Sequence, residues 1–326
     1  MHEVEMVGHG SARKKRPRRF PTLLFASFLV LAILGLAAVP HFIMPDVMRG
    51  PVSFDHTFDP ETFGLTAQRL DLETSDGLTL RAHRVLPGGG EPRAVIIFLS
   101  GTHNPSVTAF FGHAAMMAEA GYASLLVEMR AHLPSEGDRV SLGIREHLDV
   151  AAAVEHIRGD PELAGHPIVA YGLSMGGAAA INAAGSMEAI DALVALSAYS
   201  SWPDVFVDNM VESGLPRVLA PIQRPFVTGY LMLHFGGEAV RMTPRRQIAD
   251  LGGRPALLIH STRDSQVPYA SLGRLRDAAP DHVETWSREG DMHLIVEGDF
   301  TDPAGDAEYA ERVLDFLDRH FGPATH

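Results

Sequence analysis

The hydropathy pattern of this chain changes character twice before it settles. Leu23 to Val39 is free of charge and almost wholly apolar, and Phe20 to Thr22 and Pro40 to Met44 extend the uncharged run. A bilayer needs about 20 such residues, so a membrane-spanning helix is predicted over 20–44. Residues 45–67 show no period and read as a connector that packs along the domain or acts as a short tether. From Gln68 the pattern becomes regular. Leu70–Thr74 and Leu78–Val85 alternate apolar and polar about Ser75-Asp76-Gly77, which predicts a hairpin with an Asp-Gly turn. Ala94–Leu99 is continuously apolar, as expected of a strand buried on both faces.

Helix and strand patterns then alternate. Helices are predicted over 108–120, 144–158, the stretch after Ser174, and 306–320. Strands are predicted over 122–127, 168–171, 192–197, 256–260 and 283–286. Such alternation implies an α/β fold, a mostly parallel sheet with helices on both faces. Residues 199–250 interrupt it with apolar, Pro-broken helical pieces and read as a cap inserted after the sixth strand. The predicted α/β domain is 68–321.

Charge sharpens the picture of the N-terminus. The net charge is −13, yet Arg13, Lys14, Lys15, Arg16, Arg18 and Arg19 crowd into the basic segment 1–19. Basic residues ahead of an apolar span place that end in the cytoplasm and the body outside it. A cleaved signal peptide is the competing reading. The apolar run is long for one, and Leu36-Ala37-Ala38 is a poor cleavage site. Arg18-Arg19 suggests a twin-arginine signal, but Pro21 and Thr22 follow where apolar residues belong. The acidic body argues against nucleic-acid binding, which needs a basic surface. Cysteine is absent, which is compatible with export.

The chemistry concentrates in Gly172-Leu173-Ser174-Met175-Gly176-Gly177, between an apolar strand pattern and an Ala-rich helix pattern. A serine at a sharp strand-to-helix turn is held in a strained conformation with its hydroxyl exposed, and the flanking glycines let strand and helix approach. The turn also aims helix N–H groups at a developing negative charge. Ser174 is the candidate nucleophile.

On these features the chain resembles the α/β-hydrolase family over about 68–321, and within it the Bem46-like and serine-aminopeptidase-like branches. The resemblance carries an acid in a turn after the seventh strand, which matches Asp264 in Ser261-Thr262-Arg263-Asp264-Ser265-Gln266-Val267-Pro268. It carries a histidine after the eighth, which matches His293 in Gly290-Asp291-Met292-His293. The order Ser, Asp, His is that of this fold. The trio also makes chemical sense: an imidazole takes the hydroxyl proton, and a carboxylate fixes its tautomer. His260 and His282 fall in or beside strands and read as packing or edge residues. Asp291 lies too close to His293 in sequence to face it well.

For the oxyanion, Met175 offers the first backbone N–H, and the resemblance places the second at Thr102, with His103 in reserve. Ser100 stands where relatives carry a histidine that braces this loop. Relatives also carry Asp-x-Arg-Gly where this chain has Glu128-Met129-Arg130-Ala131. Glu128 and Arg130 are read as a structural ion pair, and the missing glycine at Ala131 as a sign of a rebuilt loop. Gly143, Glu146 and Asp149 read as capping and packing at the start of a helix.

The resulting expectation is a serine hydrolase of carboxylic esters or thioesters, with a small-molecule acyl substrate and no metal or cofactor. Trp202, Phe206, Met210 and other cap apolar residues suit either an acyl pocket or the cap's own core. A peptidase or amidase using the same triad is one alternative, for which Asp204, Asp208, Glu212 and Glu238 could bind an amino terminus. A non-catalytic membrane-anchored binding protein is the other. Oligomeric state is not legible.

Overall fold

In the computed structural model, which describes residues 19–322, the predicted strands join one eight-stranded sheet. β1 (Ala67–Glu73) and β2 (Thr79–Val85) form the hairpin, with Gly77 at φ +86° in its turn. β2 lies antiparallel to β4 (Ala123–Val127), and β4 lies parallel to β3 (Val95–Leu99). The parallel ladder continues through β5 (Ile168–Leu173), β6 (Ala192–Leu196), β7 (Ala256–Ser261) and β8 (Glu284–Arg288). The order is β1-β2-β4-β3-β5-β6-β7-β8. β3 to β7 are buried at every position, which is why they read as largely apolar runs, while the edge strands β1 and β8 are partly exposed.

The helices follow in chain order: α1 (Arg19–Val47), α2 (Phe111–Glu119), α3 (His147–Gly159) and α4 (Met175–Ser186). The cap holds α5 (Trp202–Glu212), α6 (Arg224–Phe235) and the single turns α7 (Glu238–Arg241) and α8 (Pro244–Gln247). α9 (Ala270–Ala278) and α10 (Ala307–Phe321) complete the domain. One core lies between the sheet and α3, α4 and the cap; the other lies under α2 and α10, with Phe110, Phe111, Tyr309 and Phe316 at its centre. α4 can press against the sheet because its residues are small. A Cβ on Gly177 would meet the Ala198 Cβ at 3.0 Å.

α1 runs past the expected end at residue 44 and enters the domain. Phe25, Phe28 and Leu31 on its first half are exposed, whereas Met44 and Met48 are buried in the first core. It is long and apolar enough to cross a membrane. The residues that follow pack along the domain rather than hang as a tether. The Val52 N–H donates to the Ala131 carbonyl (2.7 Å), and the Leu133 N–H donates to the Val52 carbonyl (2.9 Å). The basic cluster Arg13 to Arg18 lies outside the described residues.

Glu128 and Arg130 do not pair. Arg130 turns to Asp76 (2.7 Å) and to the fully buried Asp149 (2.7 Å), so Asp149 is a buried charge partner rather than a cap. Glu128 faces Ser106 at 2.7 Å, and burial pushes its carboxyl up to about 8. A carboxyl neutral at pH 7 needs no cation beside it. Ala131 adopts φ +59°, so this turn is made by an alanine in a left-handed conformation.

Candidate active site

The geometry of the candidate site begins with close approach of backbone. Ser174 sits between the end of β5 and the first residue of α4 at φ +56°, ψ −115°. That region costs about 1–3 kcal/mol and is kept only where surroundings enforce it. They do so here. A Cβ on Gly172 would lie 2.1 Å from the Gly176 carbonyl oxygen, and one on Gly176 would lie 2.3 Å from the oxygens of Leu99 and Ser100. The Ser174 N–H donates to the Leu196 carbonyl (2.7 Å), tying the turn to β6. Met175 opens α4 immediately after the serine, so its N–H is one of the helix's first free donors.

Asp264 and His293 meet. The carboxylate Oδ2 lies 2.8 Å from His293 Nδ1, while Oδ1 accepts the N–H groups of Gln266 and Val267, each at 2.9 Å. Burial would raise the Asp264 carboxyl, but the imidazole and the two backbone donors outweigh it and hold it below its ordinary value. Asp291 turns elsewhere and accepts the Ser265 N–H (2.9 Å), bracing the acid loop. His260 is buried on β7, with Nε2 at 2.8 Å from the Val267 carbonyl and 3.6 Å from Asp264 Oδ2. Burial lowers its pKa, which favours the neutral donor. His282 lies at the surface beside the Arg254 carbonyl.

Three contacts that sequence reasoning missed pin the histidine loop. The Ser197 hydroxyl donates to the His293 carbonyl (2.7 Å), the Met292 N–H to Ser261 Oγ (3.1 Å), and Arg288 to the Ile295 carbonyl (3.0 Å). The first two join residues 96 and 31 positions apart, so no local pattern announces them.

On the side of the candidate oxyanion loop, Gly101 passes close to Ser174: a Cβ there would sit 3.7 Å from that of Ser174. Thr102 follows it, with its carbonyl 2.8 Å from His132 Nε2. His132 Nδ1 lies 2.9 Å from the Arg130 carbonyl, and the ring, fully buried, stacks on Phe54. A histidine therefore braces this loop although position 100 is serine. It comes from the segment after β4, and the unfilled role at Ser100 was its only sequence signal. His103 is exposed at the loop's tip.

Three of the four cap carboxylates are already ion-paired: Asp204 with Arg224 (3.0 Å), Asp208 with Arg274 (2.6 Å) and Glu238 with Arg145 (3.2 Å). Phe206, Tyr230 and Phe235 belong to the core, while Trp202, Phe206, Met210 and Leu215 also border a cavity of about 670 Å³ beside α1. Among the described residues, no three His, Asp or Glu side chains converge as a metal site.

Comparison with known proteins agrees with the architecture. A profile of the X-Pro dipeptidyl-peptidase (S15) family matches residues 76–218, which include Ser174 but neither Asp264 nor His293. Protein bem46 of Schizosaccharomyces pombe is 26% identical over 153 residues, 45% of this chain and 49% of its own length, so the match spans about half of that relative. The esterase Pf2001 of Pyrococcus furiosus superposes with a TM-score of 0.63 at 21% identity, over 83% of this chain and 98% of that one. An acylaminoacyl peptidase of Pyrococcus horikoshii superposes with a TM-score of 0.58 at 16% identity, over 80% of this chain and 43% of that one. With this strand order, this elbow and these likenesses, the chain has the α/β-hydrolase fold and is similar to the esterase and the acylaminoacyl peptidase named above.

Proposed function

We propose that the protein is a membrane-anchored serine hydrolase that cleaves carboxylic esters or thioesters through an acyl-enzyme on Ser174. The observation that carries this is the Asp264–His293 pair, at the same end of the sheet as a serine forced into a left-handed turn. Ser174 Oγ attacks the acyl carbon, and its proton passes to His293 Nε2. Asp264 accepts the Nδ1–H bond, which keeps Nε2 free as the base and stabilises the imidazolium. The N–H groups of Met175 and Thr102 receive the oxyanion. The carbon–oxygen or carbon–sulfur bond then breaks, the leaving group takes the proton from His293, and water repeats the sequence to release the acid.

Esters are favoured over peptides because three of the cap carboxylates are held by arginines and none of those is free to receive a substrate amino group. The S15 profile match supports the peptidase reading, and the test decides between them. In detergent-solubilised full-length protein, kcat/KM for p-nitrophenyl esters is expected to exceed that for aminoacyl p-nitroanilides by at least about a hundredfold. A preference for the anilides overturns the ester assignment.

α1 serves as an uncleaved single-pass anchor, with the basic N-terminal segment in the cytoplasm and the hydrolase domain outside. Burial of Met44 and Met48 in the domain core supports this, since the helix continues from the apolar span into the fold.

A further inference from the structure

The anchor fixes how high the domain stands above the bilayer. The charged run of the sequence ends at Arg19, so the hydrocarbon begins near Phe20. At 1.5 Å per residue, a core of about 30 Å ends some 20 residues later, near Val39. Val39 already packs against the domain, Pro40 is buried, and the His41 ring meets Tyr230 of α6 at 4.9 Å. The cap is therefore seated at the membrane surface. Its apolar side chains agree, because Val218, Leu219, Ile222, Met232 and Leu233 are exposed, Leu233 by 77%. Such residues facing water are a liability, and facing lipid they are buried.

One and two turns beyond Val39, Ile43 and Val47 form one wall of the 670 Å³ groove; Trp202, Phe206, Met210 and Leu215 form the other. The same end of α1 also borders the oxyanion loop. Asp46, Arg49 and Val52 line a cleft of about 390 Å³ together with His103. On the α5 side, the Asn209 side chain donates to the Gln266 carbonyl (3.3 Å) on the loop that carries Asp264. The groove thus lies between the edge of the bilayer and the loops of the candidate triad.

We propose that this groove is a lipid site that takes one acyl chain of a bilayer lipid ester, drawn from the leaflet where α1 ends. The proposal rests on the anchored-hydrolase reading above and names its substrate class. A hydrocarbon chain fits because the walls are mainly apolar and one of them is the stretch of α1 that has just emerged from the lipid. Each methylene buried there strengthens binding about fourfold, roughly 0.8 kcal/mol.

The test uses full-length Ser174→Ala protein in phosphatidylcholine nanodiscs doped with phosphatidylcholine bearing a mid-chain diazirine, with photo-adducts mapped by mass spectrometry. Adducts are expected both on 24–34 of α1 and on 202–215. Met210→Trp, which fills the groove, lowers the 202–215 adducts at least fivefold relative to those on α1. The exposed Ile43→Asp gives the same loss should the tryptophan variant not fold. Adducts confined to α1 overturn the lipid site and leave the anchor standing. Absence of adducts from both segments overturns the anchor and the proposal with it. Because the readout is binding by an inactive variant, failure of the hydrolase assignment is measured separately, by turnover of the wild type.

Discussion

Asp264→Asn is expected to lower kcat for a p-nitrophenyl ester about 10⁴-fold with little change in KM. An asparagine can keep its carbonyl oxygen on the N–H groups of Gln266 and Val267, so the acid loop holds its shape. What it presents to His293 Nδ1 is then an amide N–H, a donor where an acceptor stood. The imidazole must carry its proton on Nε2 to accept that bond, and Nε2 is the atom that has to take the serine proton. The thermal midpoint should move by only a few degrees, since the variant keeps the loop bonds that span Asp264 to Val267. His260 gives no rescue, because its Nε2 is engaged with the Val267 carbonyl (2.8 Å). A loss below tenfold would mean that some other group sets the tautomer of His293.

Gly176→Ala should damage both stability and activity. The new Cβ would lie 2.3 Å from the carbonyl oxygens of Leu99 and Ser100, and neither backbone atom can rotate away as a side chain would. Overpacking of that kind costs about 3 kcal/mol or more, read as a shift in the urea midpoint. The displaced segment leads directly into Gly101-Thr102, so whatever protein folds loses oxyanion stabilisation, worth about 10²–10³ in kcat for one donor. Gly273→Ala is the matched control. Gly273 lies inside α9 with nothing near its would-be Cβ, and alanine there is expected to stabilise by about 0.5–1 kcal/mol.

Much of this architecture was legible because it is written locally. β3 announced itself as an unbroken apolar run, β4 to β7 as short apolar stretches between helix patterns, and the hairpin as alternation about Asp76-Gly77. Ser174, Asp264 and His293 each sit in a short motif at a strand end, so their resemblance to family motifs survived without any knowledge of contacts. The remainder depends on partners distant in sequence. Arg130 sits two residues from Glu128 and yet pairs with Asp76 and Asp149, because its side chain reaches toward the hairpin turn and the first turn of α3. His132 braces the Thr102 carbonyl across a gap of thirty residues. α9 escaped notice because only Leu272 and Leu275 among its apolar side chains are deeply buried, too few to print a helical period. The merging of α1 into the domain was hidden for another reason: apolar composition does not distinguish the residues that face lipid from Met44, which faces the core and accepts the Trp202 indole N–H at 3.0 Å.

The central claim is that Ser174 is an activated nucleophile, and covalent capture addresses it most directly. Full-length wild-type protein treated with a fluorophosphonate should gain one label per chain, mapped to the peptide containing Ser174. Folded Ser174→Ala protein should gain none. Undiminished labelling of the Ser174→Ala protein, or a folded wild type that resists the reagent, would contradict the account.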